Sequence, residues 1–259
     1  MTVDHAVLTG QEYADGSRLS ARIAIYAWQR PRVDLVQLAL DRLGEVDGPV
    51  LDVGWGAGGY TGALRAARPE VWVIPVDLAA GLAPEVVGEV DRLPFADGRA
   101  GATLAMHMLY YATDVRAAVR ELRRVLRPGG RFLASTNGRA DKPEWADLRA
   151  AALRDLGVAD PPPYPKVDER FTLEDGAELV REVFGACTVV ERRSELVVPD
   201  AEPVLAYLHS TRGHHARALP TGLTWADYLS AAERRIRADI DRTGAFRLTA
   251  HTGILLAAA

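Results

Sequence analysis

Asp52-Val53-Gly54-Trp55-Gly56-Ala57-Gly58-Gly59 follows the short apolar run Pro49-Val50-Leu51 and opens a segment with helical spacing at Tyr60, Leu64 and Ala67. The order is strand, glycine-rich turn, helix, an arrangement that lets backbone amides approach a nucleotide-like ligand closely. The glycines alone do not choose the ligand, because Gly54, Gly56 and Gly59 also satisfy the dinucleotide spacing G-x-G-x-x-G. Asp52 discriminates. A carboxylate at the end of a buried strand is costly to desolvate unless a cation or hydrogen-bond donors meet it there. Pyrophosphate is repelled by that acid, whereas an amino-acid-bearing ligand brings an ammonium group to it. Asp52 is therefore expected to receive an ammonium, directly or through water, with Gly54, Gly56 and Gly58 allowing close backbone approach.

Working outward, Val71-Trp72-Val73-Ile74-Pro75-Val76 is rich in β-formers and ends at Asp77. An acid at the tip of the strand after a glycine-rich helix can accept hydrogen bonds from a ribose diol. That feature fits a dinucleotide and S-adenosylmethionine equally. Thr103-Leu104-Ala105-Met106-His107 reads as a further strand. From Asp114 a helix places Val115, Val119, Leu122 and Val125-Leu126 on one face. It stops at the turn Arg127-Pro128-Gly129-Gly130, and Arg131–Thr136 resumes as a strand.

With these blocks in hand, the chain resembles the class I S-adenosylmethionine-dependent methyltransferases that act on small molecules. The matching blocks are Val50–Gly58, Leu93-Pro94-Phe95-Ala96-Asp97-Gly98 and Glu121–Gly130, in the family's order and over the first half of the chain. Two positions depart from the family pattern. Trp55 stands where a small residue or Cys is usual, placed to reshape the cofactor pocket, and Ala102 replaces the acid that usually opens the fourth strand. The resemblance implies an α/β fold, a Rossmann-like doubly wound seven-stranded sheet with an antiparallel last strand and helical cap insertions. S-adenosylmethionine is the implied cofactor. Leu78 is then expected beside adenine after the ribose-holding Asp77, with Glu89 and Val90 near the adenine edge. Met106 and His107 would close the methionine end. Tyr13 and Arg22, on a leading helix, would face the methionine part, with Arg22 pairing its carboxylate.

Length and composition fit one α/β domain with a sizeable core: 259 residues, about half of them hydrophobic. The formal net charge is −4 and no basic run occurs, which disfavours a nucleic-acid partner. The single cysteine, Cys187, excludes an internal disulfide and a cysteine-based zinc site, and its apolar surroundings predict burial. No signal-like or bilayer-length apolar segment is present, so no membrane partner is expected and cytoplasmic residence is the default. No metal is expected, because no Asp or Glu lies at convincing spacing to join His214 and His215. A monomer or a homodimer fits equally.

The expected organisation is a single domain over 1–259. Residues 1–45 form an N-terminal helical cover, with two helices split at Arg30-Pro31, and residues 46–136 form the cofactor-binding core. Residues 137–170 and 200–243 leave the sheet as substrate-cap insertions. Helices are expected near Glu144–Leu156, from a cap at Thr172 to Phe184, and at Trp225–Ile240, with strands at Thr188–Val198 and Phe246–Leu256.

Methyl transfer from a sulfonium demands alignment and exclusion of water, and a base only where the acceptor must lose a proton. His107, after the fourth strand, is the first candidate base or ligand contact. Tyr111 lies just beyond it, and His214 in the second insertion can present an imidazole near its working range. The reading is methyl transfer to a small acceptor, O- or N-directed, in biosynthesis or secondary metabolism. Two alternatives remain open on sequence: an NAD(P)-dependent oxidoreductase, and a cofactor-binding protein without methyl transfer.

Overall fold

The computed structural model describes residues 17–259, with every side chain in that span except those of Ser17, Arg18 and His214. In chain order the strands are β1 (Gln29–Arg30), β2 (Val50–Val53), β3 (Val73–Asp77), β4 (Val86–Val87), β5 (Ala100–Met106), β6 (Leu126–Asn137), β7 (Thr188–Val198) and β8 (Phe246–Ala258). The α-helices are α1 (Ser17–Ala24), α2 (Leu35–Leu43), α3 (Gly59–Ala67), α4 (Val115–Val125), α5 (Glu144–Asp155), α6 (Leu173–Phe184), α7 (Ala201–Ser210), α8 (Arg212–Arg217) and α9 (Trp225–Thr243).

The strands form one sheet in the order β1-β7-β8-β6-β5-β2-β3-β4. β3, β2, β5 and β6 run parallel, and β8 is antiparallel to both β6 and β7. Every residue of β2 and β5 is buried, as expected of strands covered on both faces. Side chains alternate between the faces. Leu51, Val53 and Phe132 pack with the apolar stripe of α4 and with α6, while Val50, Leu104 and Leu133 pack with α2 and α3. Pro75 is tolerated within β3 because the neighbouring Val76 carbonyl points to β2. Its own missing N–H therefore faces the β4 side, where pairing starts only at Val76–Val86.

Local chemistry sets the helix ends. Asp114 caps α4 by accepting from Ala117 N at 3.0 Å, and Thr172 caps α6 by accepting from Asp175 N at 3.1 Å. Thr224 and Asp227 form a reciprocal capping box on α9. That helix runs to Thr243, past the expected end at Ile240, and stops at Gly244 in a left-handed conformation.

Four expectations need correction. The sheet has eight strands because Gln29–Arg30 adds to its edge, antiparallel to Leu196 and Glu195 of β7. Pro31 accordingly does not start a helix: the Arg30–Pro31 bond is cis, and α2 begins later, capped by Asp34. The turn at residues 127–130 is present but lies inside β6. Two steps along β5, from Ala100 to Ala102, match five along β6, from Leu126 to Arg131. Cys187 is only partly buried.

The segments after β6 and β7 pack mainly on one another. Trp145 and Leu153 of α5, Val204 and Leu208 of α7, and Tyr228 and Ile236 of α9 share a third apolar cluster with Leu248 of β8. α1 lies against α7, which carries the N-terminal segment across the carboxyl edge of the sheet. No described helix is long and apolar enough to cross a membrane.

Leu122 is fully buried at the centre of the α4 contact. Leu122→Ala is expected to cost about 2–5 kcal/mol, read as a lowered urea midpoint with an unchanged slope.

Candidate active site

The turn between β2 and α3 is held by two carboxylates. Asp52 is buried, and its Oδ2 accepts from Thr61 Oγ1 at 2.6 Å and from Thr61 N at 3.1 Å. Gly58 occupies the N-cap of α3 and has no side chain to cap it, so Asp52 satisfies one of the helix's first free N–H groups instead. Asp77, at the end of β3, accepts from Gly56 N at 3.0 Å through Oδ2 and from Ala79 N at 2.8 Å through Oδ1. Each Asp77 oxygen keeps a lone pair for a further donor. The glycines answer to sterics as well. A Cβ on Gly54 would lie 2.5 Å from Met108 Cγ, and one on Gly58 would lie 2.9 Å from Trp55 Nε1, both at positive φ.

Beyond the carboxyl ends of the parallel strands lies a cavity of about 570 Å³, within the range of small-molecule sites. The turn contributes Gly54, Trp55 and Gly56 to its wall, and β3 and its extension contribute Asp77 and Leu78. Glu89, Val90, Met106 and His107 line it further along. Arg22 of α1 and Tyr111 after β5 complete the set of expected residues found there.

Two expected residues are not part of the wall. The Asp52 carboxylate accepts from Thr61 and is not among the wall residues, and the Thr61 donors offset its desolvation only in part. Gly58 is covered by the Trp55 indole. Tyr13 and the His214 side chain lie outside the described residues. His215 is buried against the Tyr164 ring, with centroids 4.6 Å apart, and does not line the cavity. Among the described residues no three His, Cys, Asp or Glu side chains cluster as a metal site.

Several wall residues escape the sequence reading: Tyr26, Met108, Asn137, Tyr207 and Thr252. They come from five separate segments, and no local spacing links them. Asn137 is the last residue of β6, and Tyr207 of α7 is the lining residue supplied by the segment after β7.

Electrostatics differ along the cavity. Burial and, to a lesser extent, the Lys142 charge push the His107 imidazole down to about 4, against the pull of Asp168. It is neutral at pH 7. His107 has a left-handed backbone, φ 53°, and Nε2 lies 3.4 Å from Thr252 Oγ1. Behind it, Lys142 and Asp141 form a buried pair at 2.7 Å. Burial is the largest influence and opposes the Lys142 ammonium, but Asp141, Tyr26 and Tyr207 together outweigh it and hold the group charged. Burial raises Asp52 to about 6 despite its bonds from Thr61.

Comparison with known proteins decides what this arrangement is. Residues 51–134 match the methyltransferase domain family. Over these residues the chain is similar to class I S-adenosylmethionine-dependent methyltransferases. The chain is 28% identical over 235 residues to a malonyl-[acyl-carrier protein] O-methyltransferase from Yersinia pestis, covering 84% of this chain and 78% of that protein. It is 31% identical to the protein of that name from Methylococcus capsulatus, covering 49% of this chain and 50% of the relative. A demethylmenaquinone methyltransferase from Mycolicibacterium vanbaalenii is 35% identical, with coverages of 41% and 46%. The chain thus spans about half the length of the last two relatives.

Solved structures agree on the fold of the methyltransferase domain. A protein of an antibiotic biosynthesis pathway from Anabaena variabilis superposes with a TM-score of 0.56 at 16% identity, covering 85% of this chain and 95% of its own. A phosphoethanolamine N-methyltransferase from Haemonchus contortus gives 0.53 at 15% identity, with coverages of 99% and 60%.

The raised Asp52 pKa makes a stability prediction. A carboxyl whose folded pKa exceeds its unfolded value of 3.8 favours folding when protonated and loses that advantage as pH rises through about 6. Asn keeps an oxygen for both Thr61 donors and carries no charge. Asp52→Asn is expected to be more stable than wild type at pH 8 by about 1–3 kcal/mol, with the difference vanishing below pH 4. Urea denaturation at both pH values checks it, and a variant weaker at both contradicts it.

Proposed function

We propose that this chain transfers a methyl group from S-adenosylmethionine to an oxygen or nitrogen of a small biosynthetic acceptor. The observation that carries the reading is the single cavity running from the glycine turn and Asp77 to His107. Its residues fit the donor. Asp77 offers lone pairs to a ribose diol, Leu78 and Val90 give an apolar slot for adenine with Glu89 at its edge, and Trp55, Met106 and Arg22 surround the amino-acid end. The enclosed shape and the mild negative charge favour a small acceptor over nucleic acid.

The donor supplies an electrophilic methyl carbon whose sulfur leaves as a neutral thioether. The protein's work is to hold acceptor and donor in line and keep water out. α1 and the turn at Ile25–Trp28 close the cavity from above, with Leu19, Ile23 and Tyr26 in its wall. His107 is neutral at working pH and so has a lone pair for an acceptor's proton. Its low basicity restricts it to orienting the acceptor or taking a proton already made acidic. Tyr111 lines the same cavity. The relatives' names place malonyl and quinone substrates among the acceptors of similar proteins. Those names describe the relatives.

Incubation with methyl-labelled donor and a panel of phenols, carboxylic acids and amines tests the reading. Label is expected in at least one acceptor, and none in any acceptor contradicts it. Asp77→Ala is expected to weaken binding of S-adenosylhomocysteine by about tenfold to hundredfold, measured by titration calorimetry.

A further inference from the structure

Tyr26 stands at the cavity wall with its hydroxyl oxygen 2.9 Å from Lys142 Nζ. An ammonium only donates, so the Tyr26 oxygen accepts and its single proton is directed elsewhere. The structure gives that proton no acceptor among the described residues. Lys142 is itself 4% exposed and is anchored on its far side by Asp141 Oδ2, also 4% exposed. Asp141 Oδ1 in turn accepts from His251 N at 2.9 Å, so the pair is tied to β8. Lys142 has a left-handed backbone, φ 46°, and its N–H donates to Thr249 O at 2.8 Å. A residue with a Cβ adopts that conformation at a cost, and outliers of this kind gather where a side chain must be held in place. The contact is with the hydroxyl rather than the ring face, since Nζ is 5.2 Å from the ring centroid. The Lys142 charge reaches His107 and Tyr207, and Thr252, 3.4 Å from His107, pairs with Asn137, so these four wall residues gather at this end of the cavity.

A hydroxyl backed by a buried ammonium is a strong donor aimed at negative charge. Given the proposed methyl transfer, on which this step rests, we infer that Tyr26 binds the acceptor and that Lys142 and Asp141 are its positioning residues. The acceptor class follows: molecules that present an ionised oxygen, such as a phenolate or a carboxylate. The site favours the oxyanion by hydrogen bonding, and the acceptor's proton leaves to solvent on binding. When transfer follows, the oxygen supplies both electrons of the new O–C bond, and the pair from the broken C–S bond stays with sulfur. His107 then has no obligatory proton to remove, which agrees with its low basicity.

The test is a binding measurement that needs no turnover. 4-Nitrophenolate and uncharged 4-nitroanisole are titrated into the full chain loaded with S-adenosylhomocysteine, at a pH where the phenol is ionised. Wild type is expected to prefer the phenolate. Tyr26→Phe removes one hydroxyl and is expected to weaken phenolate binding by about tenfold to hundredfold, leaving nitroanisole and S-adenosylhomocysteine within about twofold. Lys142→Met paired with Asp141→Asn removes both buried charges together. It is expected to reproduce the Tyr26→Phe loss, with no further loss when all three are combined. A wild type without preference for phenolate overturns the inference. So does a Tyr26→Phe chain that keeps the preference, or one that loses S-adenosylhomocysteine instead. A chain that never binds S-adenosylhomocysteine fails the methyltransferase reading itself, which is a separate outcome.

Discussion

The bonds from Thr61 to Asp52 are the constraint on which the rest of this site depends. They pin the first turn of α3 to the end of β2, while Asp77 pins Gly56 from the neighbouring strand. Two carboxylates thus fix a loop whose glycines leave no side chains of their own to do so. The loop can be open toward the cavity because its anchors lie beneath it. An unpaired carboxylate buried at the Asp52 position is costly, so these bonds tie the strand, the turn and the helix to one another.

Much of the frame was legible because it is locally encoded. Asp114, Thr172 and Thr224 announce helix starts through contacts three residues away. The continuous apolar run Pro49–Leu51 marks β2, and Thr103–Met106 marks the second half of β5, as interior strands. The Asp52 partner was not legible. Burial of an acid demands compensation, and the sequence does not say whether a ligand cation or the protein's own Thr61 provides it. Gln29–Arg30 failed for a related reason, since its strand character comes from β7, far away in the chain. Tyr26, Asn137, Tyr207 and Thr252 meet only because the sheet brings their segments to one edge.

The fold divides its labour accordingly. The parallel half supplies the turn, Asp77 and the apolar wall residues Leu78 and Val90 from short-range sequence blocks. The antiparallel strands and their helices build a separate apolar cluster and contribute Gln29, Tyr207 and Thr252 to the cavity, beside Asn137 at the end of β6. Most of these helices therefore support one another, and a small polar group is left at one end of the cavity. The buried Lys142–Asp141 pair lies at that end and gives it a different electrostatic character from the Asp77 end. One end is acidic and suits hydroxyl donors, and the other presents donors backed by a cation.

The central claim is that this cavity holds the methyl donor and no dinucleotide. Titration calorimetry of the purified chain with S-adenosylhomocysteine, and separately with NAD and NADP, tests it most directly. A saturable one-site isotherm with S-adenosylhomocysteine and no heat from either dinucleotide is the predicted result. Silence with the former and a clear isotherm with NAD or NADP would contradict it.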